Sequence, residues 1–415
     1  MARHGRLRAP LPWPGLLQLV AVAAVVALAS TVSVAAIAFD HLAGQADVIP
    51  LDPDKPNAPD AKPPTIGAYP TGYNLLLVGN DTREGQRGIG GNDEGARNDV
   101  TILLHVSADH TSATAVSFPR DMIVPLPACS DGKGGGYPAV SAEMINQSLG
   151  RGGLSCTATT VESLTGLKVQ FAGLITFRGV IEMSNAVGGV NVCVTGPIHD
   201  TDSGLNIKKA GNVKLKGSQA LAFLRARHGI GDNSDLGRIS SQQVFLSSLV
   251  RTLNSRETLT DLPKLYNIAS AATRNMTLSS SLVHPDTMVA IAQSLADIPL
   301  EKVLFLQYPS TTALGGIYEN RVAPLPAQAE NLFSILRADK PFVLGEKENS
   351  RGSITTTAKP TKKPTRAPTS SPTPGATSSP TKTAKPKPTK KPVKSQVIDG
   401  LSGQSAADQT CTKAN

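Results

Sequence analysis

The chain has 415 residues, a formal net charge of +9 and an isoelectric point near 9.4. The excess charge sits at the ends: residues 351–394 hold eleven Lys and Arg and no acid, residues 1–14 hold three Arg, and the other 357 residues carry about −5. A basic nucleic-acid-binding domain is thereby excluded, while 40% hydrophobic residues and this length allow one large domain or two small ones.

In chain order, residues 1–14 form a basic N-terminus containing Arg3, Arg6 and Arg8. Residues 15–39 follow without a charge, Gln18 being the only strongly polar side chain. About 20 helical residues cross a bilayer, so this run reads as a transmembrane anchor. The alternative is a cleaved signal peptide with Val34-Ala-Ala-Ile-Ala38 near the cut, but the run exceeds the usual length of a signal core. The basic flank places the N-terminus in the cytoplasm and the remainder outside the cell membrane. Residues 40–68 contain six Pro and read as a semi-rigid extracytoplasmic spacer.

The globular part is expected over residues 69–345. Apolar runs predict strands at Tyr73–Val78, Val100–Val106 and Ala113–Phe118, the last two joined as a hairpin across Ser107–Ser112. Helical patterns occur at 139–150, 157–165, 218–223 and, most clearly, from Ser240 to Asn254. A late strand, Val303–Leu306, and a closing helix, Ala327–Leu336, complete the set. Strands and helices alternate without a repeat, which favours a three-layer α/β domain. Residues 346–395 are rich in Lys, Pro, Ser and Thr and have the composition of disorder. They read as a flexible arm, or as an electrostatic tether to an anionic wall polymer. Residues 396–415 form a short C-terminal segment.

Outside the membrane, four cysteines favour disulfides. Cys129 and Cys156 bracket a Gly-rich stretch and are the more plausible pair, which leaves Cys193 with Cys411 across the arm. No Cys/His spacing points to zinc.

Charged residues gather at the predicted strand ends. Asp81 and Arg83 follow the first strand, Arg97 and Asp99 precede the second, and Arg120 and Asp121 follow the third. Arg225 and Arg227 lie two apart, and Asp235, Arg238 and Gln242 share a face if a helix starts near Asp235. Ligands of open α/β sheets bind beyond strand ends. Guanidinium groups there suit a pyrophosphate, and the carboxylates suit one hard cation such as Mg2+ or a general base. Taken singly, each Arg–Asp pair is more often a surface ion pair, and Asp235 an ordinary helix N-terminal residue.

Together the stretches Asn74–Arg83, Ala96–His105, Val116–Asp121, Met144–Gln147, Val161–Gly166, Val187–Val190, Gly217–Arg227 and Asp235–Gln243 resemble the LytR–CpsA–Psr family of cell-wall glycopolymer ligases. The resemblance implies a three-layer α/β/α domain with a mixed central sheet and an apolar polyprenyl tunnel, whose wall residues the sequence does not identify. It implies phosphotransfer of a glycopolymer from a polyprenyl-pyrophosphate-linked glycan donor to a peptidoglycan acceptor, with Mg2+ or Mn2+ as cofactor. On matching positions Asp81 and Asp99 would hold the metal, and Arg83, Arg97, Arg120, Arg225, Arg227, Arg238 and Gln242 the pyrophosphate. Asp99, Arg120, Asp121 and Asp235 would carry the catalytic roles. The chain departs from the family pattern at Ser241, where Arg is frequent, and at Asn98 and Val100, where Ser and Thr are. The Gly-rich interval between Asp81 and Arg97 is expected to form a mobile flap. Two other functions compete: a non-catalytic binder of polyprenyl-linked wall intermediates, and a polyprenyl-pyrophosphate pyrophosphatase.

Overall fold

Largely apolar runs build the centre of an eight-stranded mixed sheet, because strands covered on both faces need no polar alternation. In chain order its strands are β1 (Asp47–Ile49), β2 (Tyr73–Asn80), β3 (Asn98–Val106), β4 (Ala113–Phe118), β5 (Phe171–Thr176), β6 (Met276–Ser279), β7 (Val303–Gln307) and β8 (Gly403–Ser405). The computed structural model describes residues 44, 46–51, 69–80, 97–131, 134–345, 353–355 and 396–415. Across the sheet the order is β1-β6-β5-β2-β3-β4-β7-β8. The β3–β4 hairpin expected from the sequence is present, with Thr101 opposite Phe118 and Val106 opposite Ala113. β5 runs parallel to β2 and β7 parallel to β4.

Among the described residues seven helices have eight residues or more: α1 (Ser148–Thr165), α2 (Phe177–Val187), α3 (Ser218–Arg225), α4 (Asp235–Leu253), α5 (Leu262–Asn275), α6 (Pro285–Ala296) and α7 (Pro326–Arg337). One face of the sheet packs Leu76, Val78, Leu103, Val116 and Phe118 against Leu154 and Val161 of α1 and Leu332, Phe333 and Leu336 of α7. The other face packs Tyr73, Leu75, Ile102, Ala115, Phe171 and Phe305 against Ile291 of α6, with Leu246 and Val250 of α4 adjoining. The three-layer expectation holds. A third cluster, with Val190, Val192, Leu215, Phe223, Val244 and Phe245, joins α3 and α4 to a small sheet of Gly211–Leu215, Val190–Val194, Thr410–Thr412 and Ser353–Thr355.

The predicted helix at 139–150 is corrected. Val140–Met144 is a strand antiparallel to Ile123–Leu126, Ile145–Gln147 is a 3-10 turn, and α1 begins only at Ser148. In a segment this short the apolar positions fit a period of two as well as 3.6, and pairing with Ile123–Leu126 decides between them. The pattern at 157–165 is the second half of α1, after non-helical Gly152 and Gly153. β5, α2, α5 and α6 were not anticipated, and neither were both sheet edges. β1 lies inside the stretch read as spacer, and β8 inside the C-terminal segment.

Both cysteine pairs form disulfides. Cys129–Cys156 has a Cα–Cα distance of 5.4 Å and Cys193–Cys411 one of 4.5 Å. The second joins neighbouring strands, with Cys193 in register with Cys411. Among the described residues no helix is long and apolar enough to cross a membrane; the 15–39 run and most of the 346–395 arm lie outside them.

Candidate active site

The pairing of β2, β3, β4 and β5 brings their charged flanks to one edge of the sheet. Asn80, ending β2, stands opposite both Asn98, beginning β3, and Thr176, ending β5. β4 reaches the same edge and stops at Pro119, where a turn closed by Met122 N donating to Pro119 O presents Arg120 and Asp121. α4 starts there too. Its N-cap Ser234 accepts a hydrogen bond from Gly237 N, which fixes Asp235 as the first helical residue. The expected face follows, since i and i+3 lie together on a helix.

Three arginines and three aspartates converge at this point. Arg120 pairs with Asp99 through its terminal nitrogen, and its Nε lies 3.5 Å from Asp121. Arg227 reaches Asp235 at 3.0 Å and Asp121 at 3.5 Å. Arg238 reaches Asp235 at 2.5 Å and donates to the Asp99 carbonyl at 3.3 Å. Asp235 Oδ2 also accepts from the Arg120 amide at 3.2 Å. Asp235 and Arg238 side chains are each only 5% exposed, whereas Arg120 and Arg227 are 26% and 29% exposed. Asp235 is thus the internal hub, and Arg120 and Arg227 are the cations a ligand would meet.

Electrostatics support that division. Burial would lower the Arg120 pKa, but Asp99, Asp121 and Asp235 together outweigh it and raise the value. Burial lowers the Arg238 pKa; Asp235 opposes the shift, while Arg227 and Arg120 add to it. Arginine starts so high that both remain cationic near neutrality. The described cluster holds equal numbers of cations and anions, so a pyrophosphate there needs further positive charge.

Other predicted residues are placed differently. Arg225 lays its guanidinium over the Phe177 ring, 4.5 Å from the centroid, rather than in an ion pair with these aspartates. Gln242 donates to the Leu224 carbonyl at 2.9 Å and so supports the end of α3. Arg97 is exposed just before β3. Asp81 and Arg83 lie outside the described residues. Among the described residues no group of three or more His, Cys, Asp or Glu is arranged to hold a metal. The oxygen donors at hand are hard ones, however: Asp99 accepts from Arg120 through Oδ1 alone, and the buried Asn98 Oδ1 has no hydrogen-bond partner.

Sequence reading missed Asp200. It is 2% exposed, and its carboxylate accepts from four backbone amides: Asp202 at 2.9 Å, Ser203 at 3.1 Å, Arg227 at 2.8 Å and His228 at 3.0 Å. Burial alone would raise its pKa, but these four donors outweigh burial and lower it. The clamp holds the backbone of the segment that carries Arg227. Only the His-Asp-Thr-Asp-Ser-Gly turn hinted at it, and such turns are common.

The LytR_cpsA_psr family model matches residues 51–339. The chain belongs to this family. It is 30% identical over 289 residues to "Cell wall biosynthesis protein LcpA" of Corynebacterium glutamicum, covering 62% of this chain and 54% of that protein. It is 29% identical over 204 residues to "Polyisoprenyl-teichoic acid--peptidoglycan teichoic acid transferase TagU" of Enterococcus faecalis, covering 49% of this chain and 60% of that protein. The chain therefore spans little more than half the length of these curated relatives. The crystal structure of Bacillus subtilis TagV shares the fold at a TM-score of 0.51 and 24% identity, covering 64% of this chain and 96% of that one. The Arg–Asp cluster thus lies within the span shared with the LytR_cpsA_psr model.

Proposed function

We propose that this protein is a membrane-anchored phosphotransferase of cell-wall assembly, which moves a glycopolymer from a polyprenyl-pyrophosphate carrier to peptidoglycan. The observation that carries the reading is the convergence of Arg120, Arg227 and Arg238 on Asp99, Asp121 and Asp235, in a LytR_cpsA_psr domain related to a teichoic acid–peptidoglycan transferase. Residues 15–39 supply the anchor, with the catalytic domain outside the cell.

In the reaction an acceptor hydroxyl oxygen attacks the glycan-side phosphorus of the pyrophosphate. The new P–O bond forms as the bridging P–O bond to the polyprenyl phosphate breaks, and the product is a phosphodiester. Arg120 and Arg227, partly exposed and paired with aspartates, bind the phosphate oxygens and stabilise charge growing on the leaving polyprenyl phosphate. Asp235 holds the Arg227 guanidinium and the Arg120 backbone amide, and Arg238 in turn pairs with Asp235 and bonds the Asp99 carbonyl. The acceptor proton passes to a carboxylate, Asp99 or Asp121, both of which are partly exposed. Asp99, with Asp81, would hold Mg2+ or Mn2+, and that ion supplies the positive charge the neutral cluster lacks. The polyprenyl chain lies in an apolar tunnel inside the domain.

The test incubates purified protein with a polyprenyl-pyrophosphate glycan, a peptidoglycan oligomer and Mg2+. Wild type yields a phosphodiester-linked product, and Arg120→Ala or Asp99→Ala slows its formation by at least about 100-fold. Full transfer by both variants would sink the site assignment. Phosphate release without acceptor would favour a pyrophosphatase, and binding without product a carrier-holding scaffold.

A further inference from the structure

The segment after β7 leaves the sheet at the same edge as the arginines. It pairs Ser310–Thr311 with Ala323–Pro324, and between them residues 312–322 project as a loop. The base of this loop is fastened to the site: Val322 N donates to Asp121 O at 3.2 Å, and Ile123 N donates to Val322 O at 3.0 Å. Its tip, Thr312-Ala-Leu-Gly-Gly-Ile-Tyr318, carries no charge. Leu314 is 48% exposed and Ile317, at 64%, is the most exposed large apolar side chain among the described residues. Single exposed apolar residues are ordinary. Two on one uncharged tip, whose base is bonded to the backbone of the arginine–aspartate site, form a small exposed apolar surface.

The tether limits where that surface can be. The apolar run ends at Phe39 and β1 begins at Asp47, a span of at most about 28 Å when fully extended. β1 is parallel to β6, and β6 is antiparallel to β5. Asp47 therefore enters the sheet at the edge where β5 ends, which is also the edge of the arginines.

We infer that Leu314 and Ile317 insert into the interface of the bilayer that carries the donor, holding Arg120 and Asp121 at the level of its headgroups. This rests on the reading above of residues 15–39 as an anchor and of the donor as polyprenyl-linked. A peptidoglycan strand or a second copy of the chain is the competing occupant of the tip.

The test places an environment-sensitive fluorophore on Ile317→Cys of the full chain, reconstituted in vesicles of phosphatidylcholine and phosphatidylglycerol. A control label goes on Leu259→Cys, which is exposed beyond the far end of α4. The Ile317 label is expected to shift to the blue and to be quenched several-fold more than the control by quencher attached to lipid acyl chains. Equal quenching at both positions overturns the proposal, as does a blue shift that appears only on adding peptidoglycan or raising protein concentration. Alkaline extraction separates the two readings. A chain washed off the vesicles overturns the anchor as well, whereas a retained chain with an unquenched Ile317 label overturns the tip alone. The double variant Leu314→Asp, Ile317→Asp is expected to slow transfer from vesicle-borne donor several-fold and to leave transfer from a water-soluble short-chain donor unchanged. Equal loss with both donors overturns the proposal.

Discussion

At the scale of single residues, two buried carboxylates, Asp235 and Asp200, organise the candidate site. Asp235 is buried, and its oxygens accept from Arg120, Arg227 and Arg238, so its charge is compensated where water cannot reach. Asp200 does the same for the backbone that carries Arg227. Replacing it by Ala leaves four amides without their acceptor and is expected to cost about 3 kcal/mol, with a weaker substrate affinity as Arg227 loses its support. Thermal denaturation and a KM measurement check this. Because the Asp200 pKa is lowered in the folded state, its stabilisation is complete above the ordinary value of 3.8 and is lost as pH falls through the lower folded value. The stability gap between wild type and Asp200→Ala should therefore be constant from pH 5 to 7 and shrink below about pH 4. The arginines were legible in the sequence as residue types at strand ends. Their division into buried Arg238, partly exposed Arg120 and Arg227, and Arg225 stacked on Phe177 was not, since it depends on which helix covers which strand end.

At the scale of elements, length alone did not decide what was readable: the short strand β7 was expected from its apolar run, whereas α2, α5 and α6 were not. α4 and the β3–β4 hairpin follow from sustained patterns. Val140–Met144 does not, because five residues cannot separate a strand from a helix without their partner. α1 illustrates a tertiary constraint on one position. Gly152 lies where a Cβ would come 2.5 Å from the Ser130 carbonyl oxygen, and 3.0 and 3.2 Å from the Cβ atoms of Cys156 and Cys129. The disulfide and the Ser130 carbonyl therefore leave no room for a side chain at Gly152. Gly152→Ala is expected to destabilise the protein by about 1–3 kcal/mol and to lower the melting temperature, whereas Gly134→Ala, in open space but at φ 91°, should lose stability only through backbone strain. Equal melting of wild type and Gly152→Ala would show that the chain relaxes there.

At the scale of the whole molecule, the arm is joined to the fold at both ends. Ser353–Thr355 pairs with Thr410–Thr412, Gln396–Ile398 pairs with Phe342–Leu344, and Cys411 is bonded to Cys193. That disulfide closes a span of 218 residues, for which the chain-entropy contribution is about 5 kcal/mol. Trypsin cleavage at arm sites such as Arg366 or Lys382 should leave residues 396–415 attached to the domain on a non-reducing gel and release them after reduction and denaturation. Release without reduction would contradict the pairing. The sequence by itself determined the distribution of charge, the α/β alternation, the family and the inventory of arginines and aspartates, because these are fixed by composition and by motifs a few residues long. The tertiary structure alone decided that residues 47–49 and 403–405 close the two edges of the sheet, that Cys193 meets Cys411, and that Asp235 and Asp200 organise the arginines. Each of these joins positions far apart in the chain, and contacts at that separation are chosen by packing and strand register, which no local pattern encodes.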